Sequence, residues 1–401
     1  MTLKVLETNA TLLTCSLAIA AFLAWSAGSN NAANIVAAVV GAGIVKLNKA
    51  LLITSIFVVF GSLVLGANVA WVLGTRVIDS SSIHTSLLTT GMLVAMFAAG
   101  FWVLVASLLR VPVSVNETVL AGLIGFGVSV DPHVVMWGDI VLIYVLRFLT
   151  IPLSGLISFT IKKFLARYLE DPETTLPASL LSLHLISAFI TYIMLSKLLD
   201  AVLSLVTALA LSTLLLVLSK AYVDEKTSNQ YEKIIMFRSV SSFLTIALMS
   251  LAYGASNAGI VAGPLYVIMI NELGITSVNY LSILLLFGGS LISLGVFSWG
   301  RRVVGTLAED LATLNYSTAV VTYVSTSLTV LLLAELGVPA ATTMAVAGSI
   351  IGASLAEGYS AVNVGVVKED VSDMGFNNAC VHGDLVCRVR IHVTTYLRLL
   401  Q

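Results

Sequence analysis

Gly28-Ser29-Asn30-Asn31-Ala32-Ala33-Asn34 sets three amides and a hydroxyl between long apolar runs, with no charge among them. An unpaired polar group in hydrocarbon costs several kcal/mol, roughly, so polar, helix-weakening sequence at membrane depth is tolerated only where protein or a watery cavity surrounds it. The stretch therefore reads as half of a binding site, provided that the chain lies in a bilayer.

Composition places it there. Hydrophobic residues make up 58% of the 401 positions and charged ones 10%, against roughly 25% charged in an ordinary soluble domain. Apolar runs of about 18 to 25 residues recur along the chain, each long enough to cross a hydrocarbon core about 30 Å thick. The expectation is an all-α polytopic membrane protein, multi-pass in the cell membrane, with the lipid bilayer as its solvent. A net charge of −1 leaves no electrostatic footprint for nucleic acid. Cys15, Cys380 and Cys387 make no disulfide framework. Lys4 precedes the first apolar run and no small-residue cleavage pattern follows it, so that run reads as a retained span. No phosphate-loop lysine follows the glycine clusters and no helix carries paired metal-ligand histidines. An enzyme, a metal site and an organic cofactor are not expected.

The apolar pattern predicts about ten or eleven membrane segments and two re-entrant ones. The first re-entrant segment, residues 112 to 128, opens on a proline and the polar patch Ser114, Asn116, Glu117, then turns apolar and glycine-rich. Four landmarks then recur in one register. Gly28-Ser29-Asn30-Asn31-Ala32 returns as Gly254-Ala255-Ser256-Asn257-Ala258, and Phe60-Gly61 as Phe287-Gly288. Gly74-Thr75-Arg76-Val77-Ile78 returns as Gly300-Arg301-Arg302-Val303-Val304, and Val111-Pro112 with Gly125 as Val338-Pro339 with Gly352. The offset is about 226 to 227 residues throughout, the signature of an internal repeat. The chain divides into a first transporter-like repeat at 1–161, connector spans and charged loops at 162–238, a second repeat at 239–365 and a polar, atypical tail at 366–401. That tail is either native or the product of a shifted reading frame. The repeats are expected to be inverted, with discontinuous helices; the distribution of Lys and Arg does not settle the orientation.

Each half supplies two polar patches: Asn30, Asn31 and Asn34 with Ser114, Asn116 and Glu117, then Ser256 and Asn257 with Thr342 and Thr343. Amides and hydroxyls offer donors without a buried charge that itself needs neutralising. Helix breakers free backbone N–H groups at positive dipole ends. Together these meet the requirements for holding a small tetrahedral oxyanion in a low-dielectric pocket. The plain alternative is hydrogen-bonded packing between helices. Glu117 has three readings: an ion or proton path, a segment nearer the surface, or the partner of a basic residue. Arg110, Arg301 and Arg302 end spans, where one of them has a place to attract anions to the mouth.

The Gly-x-Asn-x-x-Ala-Asn block, its degenerate copy Gly254 to Pro264, the two Pro-x-Ser/Ala-x-x segments and Ala361-Val362-Asn363 together resemble the inorganic phosphate transporter family, over about residues 9 to 365. The resemblance implies a secondary transporter that imports phosphate with sodium or protons. Relatives read Gly-x-Asn-Asp in both halves, whereas Asn31 and Asn257 hold the acidic places here, and the counterpart of Asn34 is Ile260. Relatives also read Pro-x-Ser-Thr-Thr-His in the re-entrant segments. Thr342-Thr343-Met344 keeps the threonines, while Val115-Asn116-Glu117 replaces Thr-Thr-His. A glutamate there, with neutral residues in the first block, resembles the sulfate permease branch.

The resulting expectation is a symporter whose halves rock around a central anion. Asn30, Asn31, Asn34, Ser114, Ser256, Asn257, Thr342 and Thr343 would bind the substrate. Glu117, with Asn31 and Asn257 at the family's acidic places, would face the coupling sodium or proton. Phosphate or sulfate and the bilayer are the partners, with homo-oligomerisation left open. A sulfate permease and a passive anion channel are the alternatives.

Overall fold

The amide blocks do not interrupt their helices. In the computed structural model, which describes residues 2–41, 43, 45–109, 113–166, 168, 175–274, 278–310 and 315–358, the chain forms α1 (Thr2–Gly41), α2 (Leu47–Thr75), α3 (Thr85–Leu108), α4 (Val115–Val130), α5 (Trp137–Phe148) and α6 (Thr150–Ile161). It continues as α7 (Thr175–Leu195), α8 (Ala201–Lys226), α9 (Gln230–Leu273), α10 (Val278–Asp310), α11 (Tyr316–Glu335) and α12 (Thr342–Glu357). Both α1 and α9 run unbroken through their blocks, which corrects the expectation of a break at each. The amides there hydrogen-bond back onto their own helix. Asn257 Nδ2 donates to the Tyr253 carbonyl at 3.0 Å, and Asn31 Nδ2 lies 3.5 Å from that of Ala27. The backbone ladder therefore survives and two expected segments merge into one. Among the described residues nine helices are long and apolar enough to cross a membrane, fewer than the ten or eleven expected. The atypical tail lies outside the described residues.

The real breaks fall before α4 and α12, which turn the chain back as two helical hairpins, α3–α4 and α11–α12. The first is closed at its base where Asp79 N–H donates to the Val134 carbonyl at 2.8 Å and Met136 N–H to that of Val77 at 3.1 Å. The second is closed where Glu357, ending α12, accepts from Thr318 Oγ1 at 3.0 Å beside the start of α11. Between the two bases lie the joined α5–α6, then α7, α8, α9 and α10, each long and apolar enough to cross a membrane.

Two helix pairs make the centre: α1 against α10, and α9 against α2. Their backbones touch at glycines. A Cβ at Gly28 would lie 1.9 Å from the Ile292 carbonyl oxygen, and one at Gly295 would lie 2.1 Å from that of Trp25. In the other pair, Gly254 faces the Val58 carbonyl oxygen and Gly61 that of Leu251, each at 2.1 Å from a built Cβ. The crossings mirror one another, with Gly28 answered by Gly254 and Gly61 by Gly295. Gly288, the counterpart expected for Gly61, sits two turns away from that crossing. The cause is α9, which continues to Leu273, about two turns further past Gly254 than α1 runs past Gly28. Outside this core, α8 turns Leu205, Leu211, Leu214 and Val217 outward.

Candidate functional site

Each hairpin tip meets an amide block. Ser114 and Ala341 precede the first turns of α4 and α12, and neither caps its helix with a side-chain hydrogen bond. The first turn of each helix therefore presents backbone N–H groups at a positive dipole end.

Asn30 receives the first tip. Its Oδ1 accepts from Val113 N–H at 2.9 Å while its Nδ2 donates to Ser107 Oγ at 3.1 Å. At the matching place on α9, Ser256 Oγ donates to the Ala340 carbonyl of the second tip at 3.3 Å. Two further side chains cross between these assemblies. Asn34 Nδ2 donates to Thr343 Oγ1 at 3.1 Å and to Asn31 Oδ1 at 2.8 Å. Asn116, on the first tip, donates through Nδ2 to Ser256 Oγ at 3.2 Å and to the Ala340 carbonyl at 2.5 Å. Buried Tyr253 braces the cluster by donating to the Ala27 carbonyl at 3.1 Å.

Of the predicted residues, Asn30 thus holds the first tip, Asn34, bonded to Asn31, holds Thr343 of the second, and Ser256 holds both Asn116 of the first tip and Ala340 of the second. Asn257 is buried one residue further along α9 and bonds only into its own helix turn; Thr342 is buried at the head of α12. What the arrangement offers is a buried set of amide, hydroxyl and backbone donors without a net positive charge of its own.

The charge comes from Arg147, a residue that the sequence reading missed. Its side chain is 1% exposed, and Nη2 lies 3.1 Å from Glu117 Oε1 and 3.2 Å from Ser114 Oγ. Its Nη1 donates to the Pro339 carbonyl at 3.0 Å. Arg147 therefore joins both tips. Glu117 is 8% exposed, so it is not near the surface; of the three readings, partner of a basic residue describes its contacts. A signal was present in the sequence: Arg147 is the sole charged residue between Asp139 and Lys162. A lone intramembrane charge calls for a buried partner.

Two cavities flank the site. One of about 400 Å³ is lined by Arg76, Asp139, Glu335 and Val338, the last preceding Pro339 in sequence. The other, of about 180 Å³, is lined by Trp299, Arg302, Leu108 and Ser107, the last being the hydroxyl that Asn30 contacts. Arg302 stacks over Trp299 at 4.1 Å, which places one of the three span-ending arginines at a mouth. Arg110 lies outside the described residues.

Comparison with known proteins matches this geometry to a family. The sequence profile of the phosphate transporter family matches residues 27–372. A Chlamydia pneumoniae protein provisionally named a phosphate permease is 25% identical over 387 residues, covering 87% of this chain and 91% of the relative. One from Pyrococcus abyssi, also provisionally named, is 28% identical over 384 residues, covering 89% and 92%. A solved structure described as the sodium-dependent phosphate transporter superposes with a TM-score of 0.85 at 26% identity, over 96% of this chain and 99% of that one. The chain is accordingly a multi-pass membrane transporter, not an enzyme, and belongs to the phosphate transporter family.

Proposed function

We propose that the protein imports inorganic phosphate by cation symport, holding the anion between the amide blocks of α1 and α9 and the tips of the two hairpins. The observation that carries this reading is the convergence of those four elements through Asn34 with Thr343 and Asn116 with Ser256. Each hairpin tip is thereby fastened to an amide block, so opening the site requires parting one of these buried contacts. The mirrored glycine crossings support two related halves that rock against each other. Glu117, with Asn31 and Asn257 at the family's acidic places, faces the coupling ion in this reading. The solved neighbour's description favours sodium, and the absence of both family aspartates favours a proton.

A sulfate permease is the second reading, favoured by the neutral Asn31 and Asn257 and by the acid at position 117. Uptake of labelled phosphate and sulfate into liposomes, with and without sodium or proton gradients, separates these readings and also tests for a passive channel, which would neither saturate nor follow a cation. Alanine at Asn30 or Asn257 is expected to abolish uptake with expression intact. Unchanged transport in both variants would remove the site assignment.

A further inference from the structure

Two buried polar atoms at the meeting point of the hairpin tips have no hydrogen-bond partner. Arg147 Nε is a donor and Asn116 Oδ1 an acceptor, on residues 1% and 2% exposed. Buried polar atoms are nearly always paired, so each orphan calls for an explanation. Their side chains are anchored on adjacent carbonyls of one tip, Arg147 by Nη1 on Pro339 and Asn116 by Nδ2 on Ala340. A carbonyl only accepts, so this contact also fixes which end of the Asn116 amide is left over.

A ligand that satisfies both orphans must present a bare oxygen to the guanidinium and an O–H to the amide oxygen. Hydrogen phosphate has both. Sulfate has no proton at neutral pH, so beside this tip it would turn lone pairs toward Asn116 Oδ1 and toward the Glu117 carboxylate. The amide blocks supply no cation, and a guanidinium stays charged even when buried.

Building on the anion-transport reading above, we propose that Arg147, Asn116 and Glu117 form the selectivity element of the site. Arg147 binds the oxyanion charge, and Asn116 with Glu117 admits oxyanions that carry a proton while rejecting those that carry none. The reserve N–H of Arg147 lets it hold the anion without releasing Glu117, so the acid stays in place to be read against.

The test is uptake of labelled inorganic phosphate by the full-length protein in liposomes, with unlabelled sulfate as competitor. Wild type should saturate with phosphate and be inhibited only weakly by sulfate. Glu117→Gln replaces the repelling carboxylate by an amide that can donate, and should improve sulfate competition relative to phosphate by about 10-fold or more. Arg147→Gln should raise the phosphate KM by about 10-fold or more. Because that variant strands Glu117, the double variant Glu117→Gln with Arg147→Gln is melted and assayed beside it, separating lost recognition from lost folding. An unchanged sulfate-to-phosphate ratio in Glu117→Gln overturns the proposal, as does a folded double variant with the wild-type phosphate KM. Wild-type preference for sulfate also overturns it and leaves anion transport standing. Wild-type uptake of neither anion would defeat the transport reading itself.

Discussion

Asn34, two turns before the end of α1, donates to Thr343 at the tip of α12 across 3.1 Å of space and 309 positions of sequence. The same Nδ2 also holds Asn31 Oδ1, so one side chain both shapes its own block and fastens it to the second hairpin. Net hydrogen bonds contribute about 0.5–1.5 kcal/mol each, and stranding a buried acceptor costs about 1–3 kcal/mol. Asn34→Ala is therefore expected to lower stability by about 2 kcal/mol. A double-mutant cycle with Thr343→Val should return a coupling of about 0.5–1.5 kcal/mol. Thermal unfolding in detergent measures both, and strict additivity would remove the contact from the account.

The glycine crossings make a steric prediction. At Gly28 and Gly254 a methyl would overlap a backbone carbonyl oxygen, with no flexible side chain available to yield. Overpacking a close-packed core costs typically about 1–3 kcal/mol, and a backbone clash sits at or above the upper end. Gly28→Ala and Gly254→Ala should each reduce the yield of monodisperse protein sharply. Gly138→Ala, where nothing lies within 4 Å of a built Cβ, should leave it unchanged.

At the base of the second hairpin, Lys162 is buried with its Nζ 2.6 Å from Glu357 Oε1 and 3.0 Å from Thr318 Oγ1. Removing Glu357 takes this carboxylate away from a buried ammonium. Breaking a fully buried pair costs about 3–5 kcal/mol, but the Glu357 carboxylate is a third exposed and solvent screens it. The expected cost of Glu357→Gln is about 1–2 kcal/mol. Lys162→Met in the same chain should recover most of it, and thermal melts of the two single variants and the double variant decide the point.

Acid should weaken the base of the first hairpin. Hydrogen bonds from the Ser81 and Ser82 hydroxyls, and from Ser81 N–H, hold the Asp79 carboxyl below its ordinary range. A depressed folded-state pKa means that the stabilisation is present above the ordinary carboxylate pKa and is lost as pH falls through the lowered one. Asp79→Asn should therefore melt below wild type at pH 7, with a deficit that shrinks below about pH 4. A constant deficit across that range would show that the charge of Asp79 contributes nothing.

Much of this molecule is local in its causes, and that part is legible along the chain. Runs of apolar residues longer than a bilayer core give spanning helices whatever they pack against. The hairpin turns fall where Pro112 and Pro339 stand between the paired helices, because a proline lacks the N–H that a continuing helix needs. The amide clusters were identifiable as places needing buried partners for a similar reason, since uncharged donors in hydrocarbon must be paired. Which partners they found is another matter. That α1 and α9 stay helical through their blocks follows from the hydrogen bonds Asn31 and Asn257 make back along the turn, an option no residue count distinguishes from a break. The pairing of Gly61 with Gly295 rather than Gly288 follows from the extra length of α9, which shifts the packing register by two turns while the spacing of the hairpins stays the same.

The sequence by itself determined the solvent, the helical class and the places where uncharged polar groups need buried partners, because each depends on the free energy of placing a given residue in lipid. Tertiary structure alone decided that Glu117 is answered by Arg147 and that both hairpin tips meet the amide blocks of α1 and α9. Both depend on which side chains a fold brings within about 3 Å of each other, where a buried charge is either neutralised or intolerable.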